Sequence, residues 1–197
     1  MKFDNKIKIE LTKISEMSSK IAADALSKMI NANVMVEFPD MTLKPMEELN
    51  SLNENMLLSK CEVNGDVNGD ILMAFIKEKG LPLLDMVMYQ QIGTIKEIDI
   101  QAQSIFNELT NIIGGTYVSS LANYLSFKIL PAPPVYLGDP RIINTMLLEK
   151  YKDCDGAILL IKTILLVDST TIEGSFFLVL NKESVNVIVT LLNNSSQ

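Results

Sequence analysis

One order of apolar patterns runs twice along this chain, ninety-five residues apart, and that recurrence limits the fold more than any other feature. In the first pass, residues 5–31 space Ile7, Leu11, Ile14, Ile21, Ala25, Leu26 and Met29 for one buried helix face. Asn31 and Asn33 end that helix, and VMVEF (34–38) reads as a short strand stopped by Pro39. MEELNSL (46–52) reads as a short helix. LLSKCEV (57–63) and ILMAFIKE (71–78) make a hairpin across NGDVNGD, whose two Asn-Gly pairs form turns. An apolar helix then runs from Pro82 to about Gln91. The second pass repeats the order: a long helix over 97–126, a proline-broken strand over 128–137 and a helix over 142–150. A hairpin of 157–167 with 174–180 follows, and a helix over 184–192 closes the chain despite its β-branched residues.

The shift aligns Leu26 with Leu121, Ile30 with Leu125 and Pro39 with Pro134; it also sets Lys13 on Glu108 and Glu16 on Asn111. Two pseudo-symmetric halves, about 5–93 and 97–197, are therefore expected to share one sheet and one core. The fold class is α+β: a pseudo-two-fold repeat with a six-stranded, mainly antiparallel sheet on which two long helices and several shorter ones pack. No Gly/Ser-rich linker separates the halves, so 1–197 is read as a single domain. Its 48% hydrophobic content suffices for a full core.

The second long helix carries Glu108 and Asn111 three residues apart, which sets both on one face. Ile105, Leu109, Ile112 and Ile113 form the apolar stripe with Phe106 at its margin, leaving Ser104, Glu108, Asn111 and Gly115 outward. Gly114 and Gly115 each cost a helix roughly 1 kcal/mol relative to alanine, so a close neighbour is expected there, either another helix or a docked partner.

Absent side chains narrow the chemistry. Without histidine there is no Ser-His-Asp triad, no Cys-His pair, no histidine-ligated zinc and no phosphohistidine relay. A net charge of -7 with no basic block argues against nucleic acid and against anionic membranes. ILLIKTILLVD (158–168) is too short and interrupted to span a bilayer, and the start does not resemble a signal peptide. Cys61 and Cys154 are too few for a disulfide framework, and a reduced, cytoplasmic monomer is the simplest reading. NGDVNGD lacks the calcium-loop spacing and its terminal Glu, so it is taken as a turn, and no metal site is expected. KDCDG (152–156) is likewise a turn, and two flanking aspartates disfavour a Cys154 thiolate. Tyr117, Phe176 and Phe177 are packing residues, and most of the eleven methionines are core filler.

Ser104, then Glu108 four residues on, Asn111 three further and Pro134 after twenty-two intervening residues resembles the signature of the CheC/CheX/FliY family of CheY-phosphate phosphatases. LTKISEMSSKIAADALSKMINANVMVEFPD (11–40) is similar to the opening helix and strand of CheC proteins, and IEGSFFLVL (172–180) to a late strand of theirs. The resemblance implies a hydrolase whose substrate is the phosphoaspartate of a CheY-type response regulator. It gives catalytic roles to Glu108 and Asn111 and supporting roles to Ser104 and Pro134. It requires no cofactor of this chain's own, since Mg²⁺ and a lysine come with the receiver. CheC proteins typically carry a second site in the first half. Here Lys13 and Glu16 replace the acid and the amide, although Pro39 is kept, so that site is read as inactive. The resemblance also implies CheD as a partner, around Asp139 to Glu149. The alternative is a non-catalytic CheC-like interaction protein that binds CheD or a flagellar switch component.

Overall fold

The computed structural model describes residues 5–152 and 157–194, with Asn144 described by its backbone alone. Its elements in chain order begin with α1 (Asn5–Ile30), β1 (Val34–Glu37), β2 (Met41–Pro45), a 3-10 turn (Met46–Ser51), β3 (Met56–Gly65), β4 (Gly69–Ile76) and α2 (Lys77–Val87). Then come α3 (Ile100–Thr110), a π-helical turn (Asn111–Gly115), α4 (Thr116–Leu125), β5 (Ile129–Pro131), β6 (Val135–Leu137), α5 (Pro140–Tyr151), β7 (Ala157–Val167), β8 (Thr170–Leu180) and α6 (Lys182–Asn194). The left-handed residues that stop the two long helices, Asn31 (φ 53°) and Ser126 (φ 59°), are themselves ninety-five positions apart.

The sheet runs β1–β7–β8–β4–β3–β5, with β2 also on β7 and β6 also on β3, and each of these pairings is antiparallel. Six strand positions were expected, and eight strands occupy them because each edge strand is split. β1 and β2 lie end to end along β7, and Lys162 N–H donates to Asp40 O (3.0 Å) in the gap. β5 and β6 lie end to end along β3, with Ala132 N–H donating to Glu62 O (2.7 Å) across the proline break. Each edge strand thus pairs with the hairpin of the other half, and β4 and β8 join the halves at the centre. One sheet serves both.

Strands that are apolar at successive positions bury both faces. Ile71, Met73 and Phe75 of β4 enter the larger core beneath α1, α2, α3, α4 and α6, whereas Leu72 and Ala74 enter a smaller core on the other face. There Ile143, Leu147 and Tyr151 of α5 and Leu49 of the 3-10 turn cover the sheet.

Several expectations shift. α2 begins at Lys77 and keeps Pro82 inside it, whereas the sequence suggested a start at Pro82 and an end near Gln91. Left-handed Tyr89 (φ 54°) stops it early. In α1, Ile21 is 54% exposed, and the inward positions include Ser15 and Ser18. The Ser18 hydroxyl donates to Ile14 O (2.7 Å), which lets a polar residue stand where an apolar one was expected. Cys154 lies outside the described residues. NGDVNGD makes the β3–β4 turn, with Gly65 at φ 142° and the Asp66 carboxylate accepting from Lys128 N–H (2.8 Å). Tyr117, Phe176 and Phe177 are buried, as expected of packing residues.

Candidate active site

α3 starts at Ile100 because the Asp99 side chain caps it, accepting from Ala102 N–H (2.8 Å). Its inner face is Ala102, Phe106 and Leu109. Phe106 sits at the heart of the core, edge-on to Phe75 and Tyr136, and not at the margin of the stripe. Ile105 and Ile112, expected inside, are only half buried.

The helix does not continue as a plain α-helix past Thr110. Asn111 to Gly115 form a π turn, after which α4 resumes with helical dihedrals at both junctions. π turns inside α-helices occur frequently at functional sites. α1, the counterpart in the first half, is α-helical throughout. Gly114 explains how the turn fits: a Cβ there would stand 2.9 Å from Ile71 Cγ2 and 3.2 Å from Phe176 Cε2. The close neighbour is therefore the sheet, neither a second helix nor a partner. A Cβ on Gly115 would lie at ordinary contact distance, 3.4 Å, from Asn111 Oδ1, so no close approach requires this second glycine.

Ser104, Glu108 and Asn111 are all exposed. Among the described residues neither the Glu108 carboxylate nor the Asn111 amide has a side-chain hydrogen bond or ion pair. Glu108 is also the one charged residue between Ile100 and Leu125. Asn111 borders a groove of about 480 Å³ between the two long helices, walled on the α1 side by Ile21 and Ala25. Pro131 lines this groove and Pro134 does not. Pro134 is the last residue before β6, in the break between the two pieces of the edge strand.

The first-half positions are arranged differently. Lys13 Nζ donates to Glu10 Oε1 (2.9 Å), and the hydrogen bond to that carboxylate raises the Lys13 pKa. Glu10, itself buried, also accepts from the Tyr124 hydroxyl, so these side chains tie α1 to α4. Glu16 and Pro39 border a separate groove of about 340 Å³ that also carries Lys20 and Glu37. An ammonium stands where the second half has a carboxylate.

Residues 102–137, the stretch that holds Ser104, Glu108, Asn111 and Pro134, match the CheC-like family. Over this segment the chain is similar to the CheC-like family. The CheC-like fold extends well beyond the segment. Thermotoga maritima FliY superposes with a TM-score of 0.77 at 16% identity, covering 99% of this chain and 100% of that one. The middle domain of FliM from Vibrio alginolyticus gives 0.68 at 16% identity, over 92% of this chain and 99% of that domain. A chain of the CheX–CheY–BeF3–Mg²⁺ complex from Borrelia burgdorferi gives 0.50 at 17% identity, over 84% and 97%. At these identities the likeness is one of fold. No helix among the described residues is long and apolar enough to cross a membrane.

Proposed function

We propose that this chain hydrolyses the phosphoaspartate of a CheY-type response regulator, using one centre in its second half. The observation that carries the reading is the exposed Glu108 and Asn111, unpaired among the described residues, where α3 passes into a π turn inside the segment that matches the CheC-like family. An acyl phosphate is already reactive, and phosphoryl transfer is catalysed chiefly by positioning and electrostatics. The Asn111 carbonyl accepts from a water and holds it in line with phosphorus. The water attacks, the bond from phosphorus to the aspartyl oxygen breaks, and free carboxylate and inorganic phosphate leave. Glu108 pairs with the receiver's active-site lysine and fixes the helix in its mouth. Ser104 extends that contact, and Pro134 shapes the strand beside the helix. Mg²⁺ comes with the receiver, and the CheX–CheY complex from Borrelia burgdorferi also contains BeF3 and Mg²⁺.

The test is the decay of a phosphorylated CheY-type receiver with and without the chain. Faster decay supports the reading, and an unchanged rate rejects it. Lys13→Ala and Glu16→Ala are each expected to leave turnover unchanged, because an ammonium and a second carboxylate cannot replace the acid-amide pair. A large loss in either variant, with circular dichroism unaltered, would give the first half a part in the reaction.

A second reading is a non-catalytic protein that binds CheD or a flagellar switch component. The altered pair in the first half favours it, and the fold shared with the FliM middle domain is compatible with it. For CheD the suited surface is α5, where Ile142 (60% exposed) and Met146 (55%) border a groove of about 610 Å³. Met146→Asp is expected to abolish CheD capture in a pull-down while leaving receiver decay unaltered. Undiminished capture would remove α5 from that interface.

A further inference from the structure

Two exposed isoleucines bracket the acid-amide pair. Ile100, the first residue of α3, is 84% exposed, the barest of the large apolar side chains among the described residues. It precedes Asn111 by eleven residues, about three turns of the same ridge. Ile21, on α1, is 54% exposed and stands across the groove from Asn111. Isolated exposed apolar residues are ordinary on a protein surface, so exposure alone says little. Their setting says more. The helix from Ile100 to Leu125 carries a single charge, Glu108, whereas α1 carries eight ionisable side chains. Among the described residues that line the Asn111 groove, none is ionisable. The helix from Ile100 to Leu125 and the lining of the Asn111 groove are therefore uncharged apart from the Glu108 carboxylate, and partly apolar.

That pattern matches the anatomy of a docking surface, in which apolar anchors surround a few polar groups and shield them from water. Because Asn111 is part of the groove wall, a partner that brings an atom to its amide also lies over the groove. We infer that Ile100 and Ile21 are the apolar anchors of the receiver dock, one at the start of the catalytic ridge and one across the groove from Asn111, and that each takes an uncharged surface flanking the phosphorylated aspartate. Sealing the ridge in this way strengthens the Glu108–lysine pair, since an ion pair excluded from water is worth more than one at the rim. This inference rests on the function proposed above and adds the residues that select the partner.

The experiment measures receiver decay against receiver concentration for Ile100→Asp and Ile21→Asp. Ile76→Asp is the control, since Ile76 is 52% exposed at the end of β4 and borders a cavity on the opposite side of the sheet, with Ala74 and Ser175. Each anchor variant is expected to raise the half-saturating concentration about tenfold with the maximal rate unchanged, the signature of lost ground-state binding. The control is expected to match the wild type. Unchanged half-saturation in both anchor variants, an equal effect in the control, or a fall in maximal rate alone would overturn the inference. Should the wild type fail to accelerate decay, the same variants are compared in binding a receiver loaded with beryllofluoride and Mg²⁺, followed by fluorescence anisotropy. About tenfold weaker binding of the anchor variants keeps the dock while the phosphatase reading falls; unaltered binding, or none by the wild type, removes the dock as well.

Discussion

Asn111→Ala is expected to abolish the acceleration of phosphoaspartate decay while leaving the receiver bound. The amide is exposed and has no hydrogen-bonding duty within the described fold, so truncating it disturbs neither the core nor the π turn, whose packing rests on Gly114 and Ile113. What disappears is the group proposed to orient water. Removing one positioned polar group from a reaction centre typically costs about 10²–10³ in rate. Glu108→Ala should behave differently. It deletes half of the proposed ion pair with the partner, so the half-saturating concentration is expected to rise more than the maximal rate falls. Decay kinetics at varied receiver concentration separate the two effects. A variant lacking the Asn111 amide that turns over normally would take that residue out of the mechanism.

The largest effect on stability is expected at Asp70, far from that centre. Its side chain is fully buried at the start of β4, where it accepts from Lys60 Nζ (2.8 Å), Lys150 Nζ (2.8 Å) and the Tyr151 hydroxyl (2.7 Å). These contacts bind the end of α5 to the β3–β4 hairpin. Deleting one member of a buried ion pair costs about 3–5 kcal/mol. Lys60 and Lys150 keep some access to water, at 17% and 45% exposure, so Asp70→Ala belongs near the lower end, at about 3 kcal/mol. For a chain of this size that lowers Tm by about 6–12 °C. Burial pushes the Asp70 carboxyl upward, but hydrogen bonds from Lys150, Lys60 and Tyr151 outweigh it and hold the pKa below its ordinary value of 3.8. A depressed carboxylate stabilises the fold above its unfolded pKa. That contribution is lost as pH falls from about that value through the lower folded one. Thermal melts across this range should show the wild type losing stability with acid and Asp70→Ala losing less. Equal melting temperatures at neutral pH would show that the cluster contributes nothing.

Much of the fold was legible because its strands and helices are bounded by strong punctuation. β7 occupies 157–167 as expected, an unbroken aliphatic run closed by left-handed Asp168, and the Asn-Gly pairs give the β3–β4 turn. β2 was missed because MTLKP, half exposed at a sheet edge, shows no period-two alternation. Pro82 looked like a helix start, yet it sits within α2. The outward placement of Ser104, Glu108 and Asn111 followed from helical spacing. The π turn did not, since a pair of glycines signals a close approach without saying how the backbone winds around it. The spacing of Ile21 fits a helical stripe, and only the buried serines of α1 show that the inward face runs elsewhere. The Asp70 cluster joins residues up to eighty-one positions apart, which no local pattern reveals.

The most direct test is the lifetime of the acyl phosphate on a CheY-type receiver held under a saturating amount of the wild-type chain. The expected lifetime is well below the spontaneous one, restored to the spontaneous value by Asn111→Ala although the variant still binds. A lifetime that the wild-type chain leaves unaltered, despite demonstrable binding, would contradict it and leave an interaction protein in its place.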